Sequence, residues 1–310
     1  DLIMPEINGF GVIEELSKKG IMKKVPVMII SSEISAENEN ICFKYGVFDF
    51  IGRPFKTSIV RKRVQNMINI YVYKNHLEQQ VQEQTAVLRK AYEKLEKQKE
   101  RVEKLNKDIL DMLGTIVEFR NLESGEHIMR VKGYTKILAE KFKELYPEYN
   151  LTDEMIDNIV EASALHDLGK ISIPDKILLK PGRLTKEEFE YMKLHTVKGC
   201  ELIQAVNLEQ SEELKQICYD IIRYHHERYD GKGYPDGLKG DEIPVSAQLV
   251  SLADVYDALI NERCYKDAFS NEKAFNMIMN GECGTFSPKL LETFKQVRDK
   301  FERFAIEERK

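Results

Sequence analysis

The chain has 310 residues, of which 42% are hydrophobic and 32% charged, and a net charge of −5. That length points to two or three domains. The acidic balance excludes the basic footprint of a general nucleic-acid binder and leaves room for a small anion held by a few local cations. The cysteines, Cys42, Cys200, Cys218, Cys264 and Cys283, are scattered and form no CxxC, which argues against a disulfide framework or a zinc knuckle. The longest apolar run, near Val25 to Ile30, is far too short to span a membrane. No signal peptide is visible, and because the chain opens on Asp an upstream part is expected. The expectation is a cytoplasmic, mainly α protein without DNA, RNA or membrane partners.

Residues 1–70 mix short apolar runs with helical patterns. Val25-Pro-Val-Met-Ile-Ile30 and Phe48-Asp-Phe-Ile51 read as buried strands, and 10–19, 36–45 and 57–70 as helices. Strands alternating with helices predict an α/β layer with a parallel sheet. Residues 71–115 change character. Val81, Leu88, Leu95, Val102 and Ile109 recur every seven residues, and Leu77, Ala91, Leu105 and Met112 fill much of a second seam that Gln84 and Gln98 interrupt. No Pro or Gly occurs from Val72 to Leu113. This is the pattern of a coiled coil, and its narrow seam with charged flanks favours a parallel homodimer. The competing reading is one amphipathic helix packed on its own chain. Residues 116–310 are predicted helical at 128–145, 153–165, 186–206, 212–226, 244–260, 271–280 and 288–304, with Pro and Gly clustered at 174–182 and 231–244.

The chain has six histidines, and five of them, His127, His166, His195, His225 and His226, fall in this last region. His76 opens the coiled coil and reads as a solvated side chain. His225 and His226 are adjacent, so on a helix they would point about 100° apart and reach two metals or two walls of one pocket. His127 follows Glu123 by four residues, so both face one way if the helix starts that early. Asp167 lies between Leu165 and Leu168, and Asp254 between Ala253 and Val255, where a lone carboxylate is costly unless it is paired or bound to a cation. Each residue alone reads as an ordinary hydrogen-bonded group. Together they form an oxygen- and nitrogen-rich set suited to divalent iron or manganese, and one carboxylate can bridge two such ions.

The motifs His166-Asp167-Leu-Gly-Lys170, His195, His225-His226-Glu-Arg-Tyr-Asp-Gly-Lys-Gly-Tyr234-Pro235 and Asp254-Val-Tyr-Asp-Ala-Leu resemble those of the HD-GYP domain, over about residues 116–300. The resemblance implies an all-helical, metal-dependent phosphodiesterase that opens cyclic di-GMP to linear pGpG, GMP or both. It implies His166, Asp167, His195, His225, His226 and Asp254 as metal ligands, with Asp167 bridging. Glu123 and His127 match the members that bind a third metal, so two or three divalent ions are expected. It places Lys170 beside the scissile phosphate as a catalytic group alongside Asp167. Lys170, Tyr234, Arg263 and Lys266 are the expected substrate contacts. Cys264 stands where the family usually has proline.

Asp1-Leu-Ile-Met-Pro5 followed by Asn8-Gly9 resembles the second half of a response-regulator receiver domain, with Asp1 as phosphoacceptor, Ser31 at the switch position and Arg53-Pro54 where Lys-Pro is usual. The expected architecture is therefore a partial flavodoxin-like receiver at 1–70, a coiled-coil signalling helix at 71–115 and an HD-superfamily catalytic domain at 116–310. A histidine kinase is the partner the receiver implies, with regulation passing along the coiled coil. The alternatives are a cyclic-dinucleotide-binding module with little turnover, or a phosphodiesterase for another cyclic dinucleotide such as cyclic GMP-AMP.

Overall fold

The computed structural model describes residues 2, 4, 8–32, 35–120, 125–205, 212–262 and 268–307. The chain forms two compact units, Asp1–Lys99 and Glu100–Lys310.

In the first unit, α1 (Gly9–Lys18) is started by Asn8, whose side chain accepts a hydrogen bond from the Gly11 amide. Strand β1 (Met28–Ser31) leads through α2 (Ala36–Lys44) to β2 (Asp49–Gly52). The two strands pair in parallel, from Met28 opposite Asp49 to Ser31 opposite Gly52. A parallel pair needs such a crossover, and α2 supplies it. The first strand starts later than the expected Val25, because Pro26 has no amide hydrogen to donate to a ladder. Leu2, Ile13, Ile29, Cys42, Val47 and Phe50 make a small core. Among the described residues the sheet has these two strands only.

The expected helix 57–70 and the coiled-coil segment 71–115 are one helix, α3 (Thr57–Arg120), 64 residues long. Nothing between Val72 and Leu113 can break it. Its heptad positions Val81, Leu88, Leu95, Val102 and Ile109 are all exposed. The last turns behave differently. Val117 and Glu118 are buried there, and Gly114 lets the helix approach the backbone of Ala164, whose oxygen a Cβ would meet at 2.3 Å.

In the second unit, α4 (Glu126–Leu145) packs against α5 (Asp153–Ser163), α10 (Val245–Ile260) and α12 (Pro288–Glu307). Tyr134, Tyr256, Phe294 and Phe301 are fully buried in this core, with Tyr134 and Phe301 ring centres 4.6 Å apart. The remaining helices are α6 (Asp175–Leu178), α7 (Lys186–Lys193), α8 (His195–Ala205), α9 (Glu212–Tyr224) and α11 (Asn271–Met279). The pattern at 186–206 predicts one helix, but the chain turns at Leu194, so His195 opens α8. A capping box between Thr185 and Glu188 sets the start of α7. Helix α9 ends at Tyr224, short of the expected end at His226, which leaves the adjacent histidines in the turn that follows it. Among the described residues no helix is long and apolar enough to cross a membrane.

Candidate metal centre

After α5 the chain turns through His166 and Asp167 into a tight helical turn, Leu168–Ser172, which packs on α8. The approach is close because both faces are glycine. A Cβ on Gly169 would fall 1.7 Å from the His195 carbonyl oxygen, and one on Gly199 would fall 3.0 Å from the Gly169 nitrogen. This contact sets Asp167 Oδ1 3.3 Å from His195 Nε2. The turn after α9 brings His225 Nε2 to 3.8 Å from the same oxygen. Asp167, His195, His225 and His226 thus offer ligand atoms that all lie within 4.8 Å of one another.

The histidines are oriented from behind. Nδ1–H of His166 donates to the Ser163 carbonyl at 2.9 Å, that of His195 to Met192 at 2.8 Å, and that of His225 to Ile221 at 2.9 Å. These bonds fix the tautomer and aim each Nε2 lone pair inward. The Nε2 atoms of all three, with Asp167 Oδ1, are buried and without a hydrogen-bond partner. Buried polar atoms are rarely left so, and convergent imidazole nitrogens around a carboxylate fit a divalent first-row cation. The sequence-based expectation that His225 and His226 diverge by a helical step is corrected here. They sit beyond the helix end, their ring centres are 4.1 Å apart, and both belong to the same group of ligand atoms.

A second group adjoins the first. Ligand atoms of Glu118, His127 and His166 also lie within 4.8 Å of one another. His127 Nδ1 donates to Asp257 Oδ2 at 2.7 Å, and its Nε2 lies 3.6 Å from Asp254 Oδ1. Asp257 is in turn held by Arg130, whose Nε donates to Oδ1 at 2.7 Å. This is the carboxylate–histidine arrangement that stiffens metal-binding imidazoles.

The electrostatics follow from burial and from Asp167. Burial opposes charge on His166, yet Asp167, Asp254 and Glu118 together lift it to about 10. Burial and the neighbouring His166 and His195 push His225 down to about 3, and burial next to His225 holds His226 well below the usual histidine range. Burial likewise lowers His195 despite Asp167. Burial would raise Asp167, but Lys170 and His166 overcome it and keep the carboxylate ionised. The negative field that lifts His166 is the field a divalent cation satisfies.

Toward solvent, Lys170 Nζ lies 2.5 Å from Asp167 Oδ2. The Tyr234 ring stacks on His226 at 4.7 Å, and Lys193 lies over the same tyrosine at 5.6 Å. Tyr234 and His226 border a cavity of about 300 Å³ that Phe189, Lys193 and Arg228 also line. Glu227 holds the glycine-rich loop in place by accepting from the Asp236 and Gly237 amides at 2.7 and 2.9 Å. Of the residues singled out in the sequence, His127, His166, Asp167, Lys170, His195, His225, His226, Tyr234 and Asp254 are gathered around this one centre. Asp1, Glu123, Arg263 and Lys266 lie outside the described residues.

Besides Arg130 and Lys193, three residues around the centre were given no role in the sequence reading. Glu118 is a carboxylate in the apolar run Ile116-Val-Glu-Phe119, the same signal that marks Asp167 and Asp254. Asp257 stands one helical turn after Asp254. Arg120, the last residue of α3, donates to the carbonyls of Lys170, Ile171 and Ile173 at 2.9, 2.7 and 2.7 Å and to Asp175 at 2.6 Å. It grips the turn that carries Lys170, and no spacing in the sequence betrays that contact.

A buried His/Asp cluster at the joint of α5, α8 and α9, on an all-helical scaffold, defines the class as an HD-superfamily hydrolase. The HD domain profile matches residues 125–290. A probable cyclic di-GMP phosphodiesterase of Vibrio cholerae is 34% identical over 99% of this chain and 70% of its own length. A cyclic di-GMP phosphodiesterase of Thermotoga maritima is 31% identical over 98% of this chain and 80% of its own. A 3'3'-cGAMP-specific phosphodiesterase of Vibrio cholerae is 38% identical over 63% of this chain and 35% of its own. The chain belongs to the HD-domain family, in its HD-GYP group.

Proposed function

We propose that the protein is a metal-dependent phosphodiesterase that hydrolyses cyclic di-GMP to linear pGpG, GMP or both. The observation that carries this reading is the set of buried, unpartnered Nε2 atoms of His166, His195 and His225 converging on Asp167. In this reading His127, His166, Asp167, His195, His225, His226 and Asp254 would hold the metal ions, with Glu123 as a further candidate. Iron or manganese suits the donor set, which has no thiolate. Bound divalent ions would supply Lewis acidity to the phosphodiester and acidify water. Lys170, held in place by the Arg120 clamp, presents its ammonium to a non-bridging phosphate oxygen and stabilises the charge that grows there. Tyr234 offers an aromatic face to a guanine, and Lys193 beside it supplies a cation for the second phosphate. Arg263 and Lys266 are assigned to the same ligand on the strength of the family resemblance.

The test is turnover by anaerobically purified protein with Fe(II) or Mn(II), with products separated by chromatography. The wild type should linearise cyclic di-GMP and the His166→Ala/Asp167→Ala double variant should not. Full activity of the double variant ends this reading. The similarity to a cGAMP-specific phosphodiesterase favours a second reading, in which the mixed dinucleotide is the substrate. Parallel assays with both ligands separate the two.

Regulation is assigned to the front of the chain. Residues 1–70 would act as a partial receiver answering a histidine kinase, 71–115 as a dimerising coiled coil and 116–310 as the catalytic domain. Inserting four residues near Lys97 should change turnover strongly by shifting the heptad phase. Unchanged turnover, or a monomer in sedimentation, argues against this assignment.

A further inference from the structure

We propose that Glu118 is a metal ligand, donated by the long helix α3, and that with His127 and His166 it completes a position beside the one formed by Asp167, His195, His225 and His226. The proposal rests on reading the cluster as a metal centre and adds to it a residue from the segment that precedes the HD domain match.

Glu118 is fully buried, and neither carboxylate oxygen has a hydrogen-bond partner. A buried carboxylate without partners costs several kcal/mol, so its retention calls for a compensating cation. Its surroundings show which kind. His166 and His127 have ring centres 5.7 Å apart, and each has its Nδ1 engaged elsewhere, on Ser163 and Asp257. Their Nε2 atoms are therefore left for a cation: His166 Nε2, 3.2 Å from Asp167 Oδ2, makes no hydrogen bond, and His127 Nε2 lies 3.6 Å from Asp254 Oδ1. The ligand atoms of Glu118, His127 and His166 lie within 4.8 Å of one another. Ligands about 2.1 Å from a shared ion lie at most about 4.2 Å apart, so side-chain rotations of about half an ångström close the set. Two imidazoles and a carboxylate, with Asp254 3.6 Å from His127, match the preference of iron or manganese for mixed nitrogen and oxygen donors.

The position of Glu118 is set by backbone contacts. Gly114, one helical turn earlier, allows α3 to pass against Ala164, two residues before His166. Arg120, two residues later, fastens the helix end to the turn that follows Asp167. Glu118 is thus carried by a stretch held at both ends to the backbone that presents His166 and Asp167.

The experiment compares wild type with Glu118→Gln. Both are loaded anaerobically with Fe(II) or Mn(II), desalted, and assayed for metal per chain and for melting temperature with and without metal. The variant is expected to retain roughly one equivalent fewer, or to bind the weakest ion at least about tenfold less tightly, and to gain less in melting temperature on loading. Its metal-free melting temperature should be no lower than that of wild type, because the change removes a buried carboxylate that makes no hydrogen bond. Equal metal content with an equal gain on loading overturns the proposal, as does a lower metal-free melting temperature with unchanged metal content, which would make Glu118 a packing residue. Should Glu118→Gln fail to fold, Glu118→Asp keeps the charge one methylene short and is expected to bind at least about tenfold more weakly. Wild-type affinity in that variant overturns the proposal equally. A wild-type chain that loads metal but cleaves no cyclic dinucleotide would refute the proposed function and leave this comparison intact.

Discussion

Replacing Gly169 by alanine tests whether the glycine contact under the HD turn assembles the centre. The added methyl would sit 1.7 Å from the His195 oxygen, 2.6 Å from the Gly199 nitrogen and 2.7 Å from the His195 carbonyl carbon. All three are backbone atoms, so no side chain can swing aside. Restoring contacts of about 3.4 Å requires the turn and α8 to part by on the order of 1.5 Å. That motion would stretch the Asp167–His195 separation from 3.3 Å toward about 5 Å, beyond what two ligands of one ion span. Overpacking of this kind costs about 1–3 kcal/mol, which in a unit of this size lowers the melting temperature by roughly 2–12 °C. Calorimetry in chelator reads the first effect, and metal analysis after loading reads the second. A Gly169→Ala protein that melts with the wild type and keeps its full metal content would refute the idea that this contact positions Asp167 and His195.

Three further outcomes follow from other contacts. Asp257→Asn should weaken metal binding about 10–100-fold in a chelator competition, because His127 loses its orienting carboxylate. It should also lower the melting temperature, since the buried Arg130 loses its counter-charge; wild-type affinity would contradict the role given to Asp257. Arg120→Lys cannot reproduce a planar fork over three carbonyls, so amide hydrogen exchange at 168–173 should quicken by about tenfold or more, while unchanged exchange would mean that the clamp is dispensable. Burial raises the Asp220 carboxyl, although Gln216 donates to it at 2.8 Å. A raised carboxyl binds its proton more tightly in the folded state, so its favourable contribution is complete at acid pH and is lost as pH rises through the folded value. Asp220→Asn should therefore be the more stable protein at pH 7 in urea denaturation, with the difference fading below the ordinary carboxylate range near pH ~4. An Asp220→Asn protein that is less stable than wild type at pH 7 would reverse the sign and refute the assignment.

The chemistry of the centre was legible because it depends on residue type at short spacing. Asp167 and Asp254 can be picked out by the cost of burying a carboxylate among apolar neighbours and His225-His226 by their adjacency, and the structure gathers these residues. The helical character of 71–115 was legible for the same reason, and the segment is part of α3. What remained hidden depends on contacts between distant backbones. Nothing around Gly169 or Gly199 announces that they face one another, and nothing around Arg120 announces three carbonyls some fifty residues away. The turn at Leu194 was missed because the apolar periodicity of 186–206 runs through it unbroken. Glu118 lay within reach of the rule applied to Asp167 and Asp254, but it follows directly on the heptad segment, whose charged residues otherwise read as solvated flanks.

The exposed stripe of α3 does not stop where the heptads were first recognised. Ile116 and Phe119 continue both seams and are 53% and 78% exposed, while Glu118 and Arg120 on the same turn face inward. That stripe thus lies on the opposite side of the same helical turn that carries Glu118 and Arg120. A helix is only about 10 Å across. A twist of about 20°, the drift a straight helix accumulates over one heptad, would carry a side chain on the far face by roughly 2 Å. That is close to one metal–ligand bond length. On the regulatory reading proposed above, a signal carried along this helix would need no lever arm and no hinge, only a change of phase.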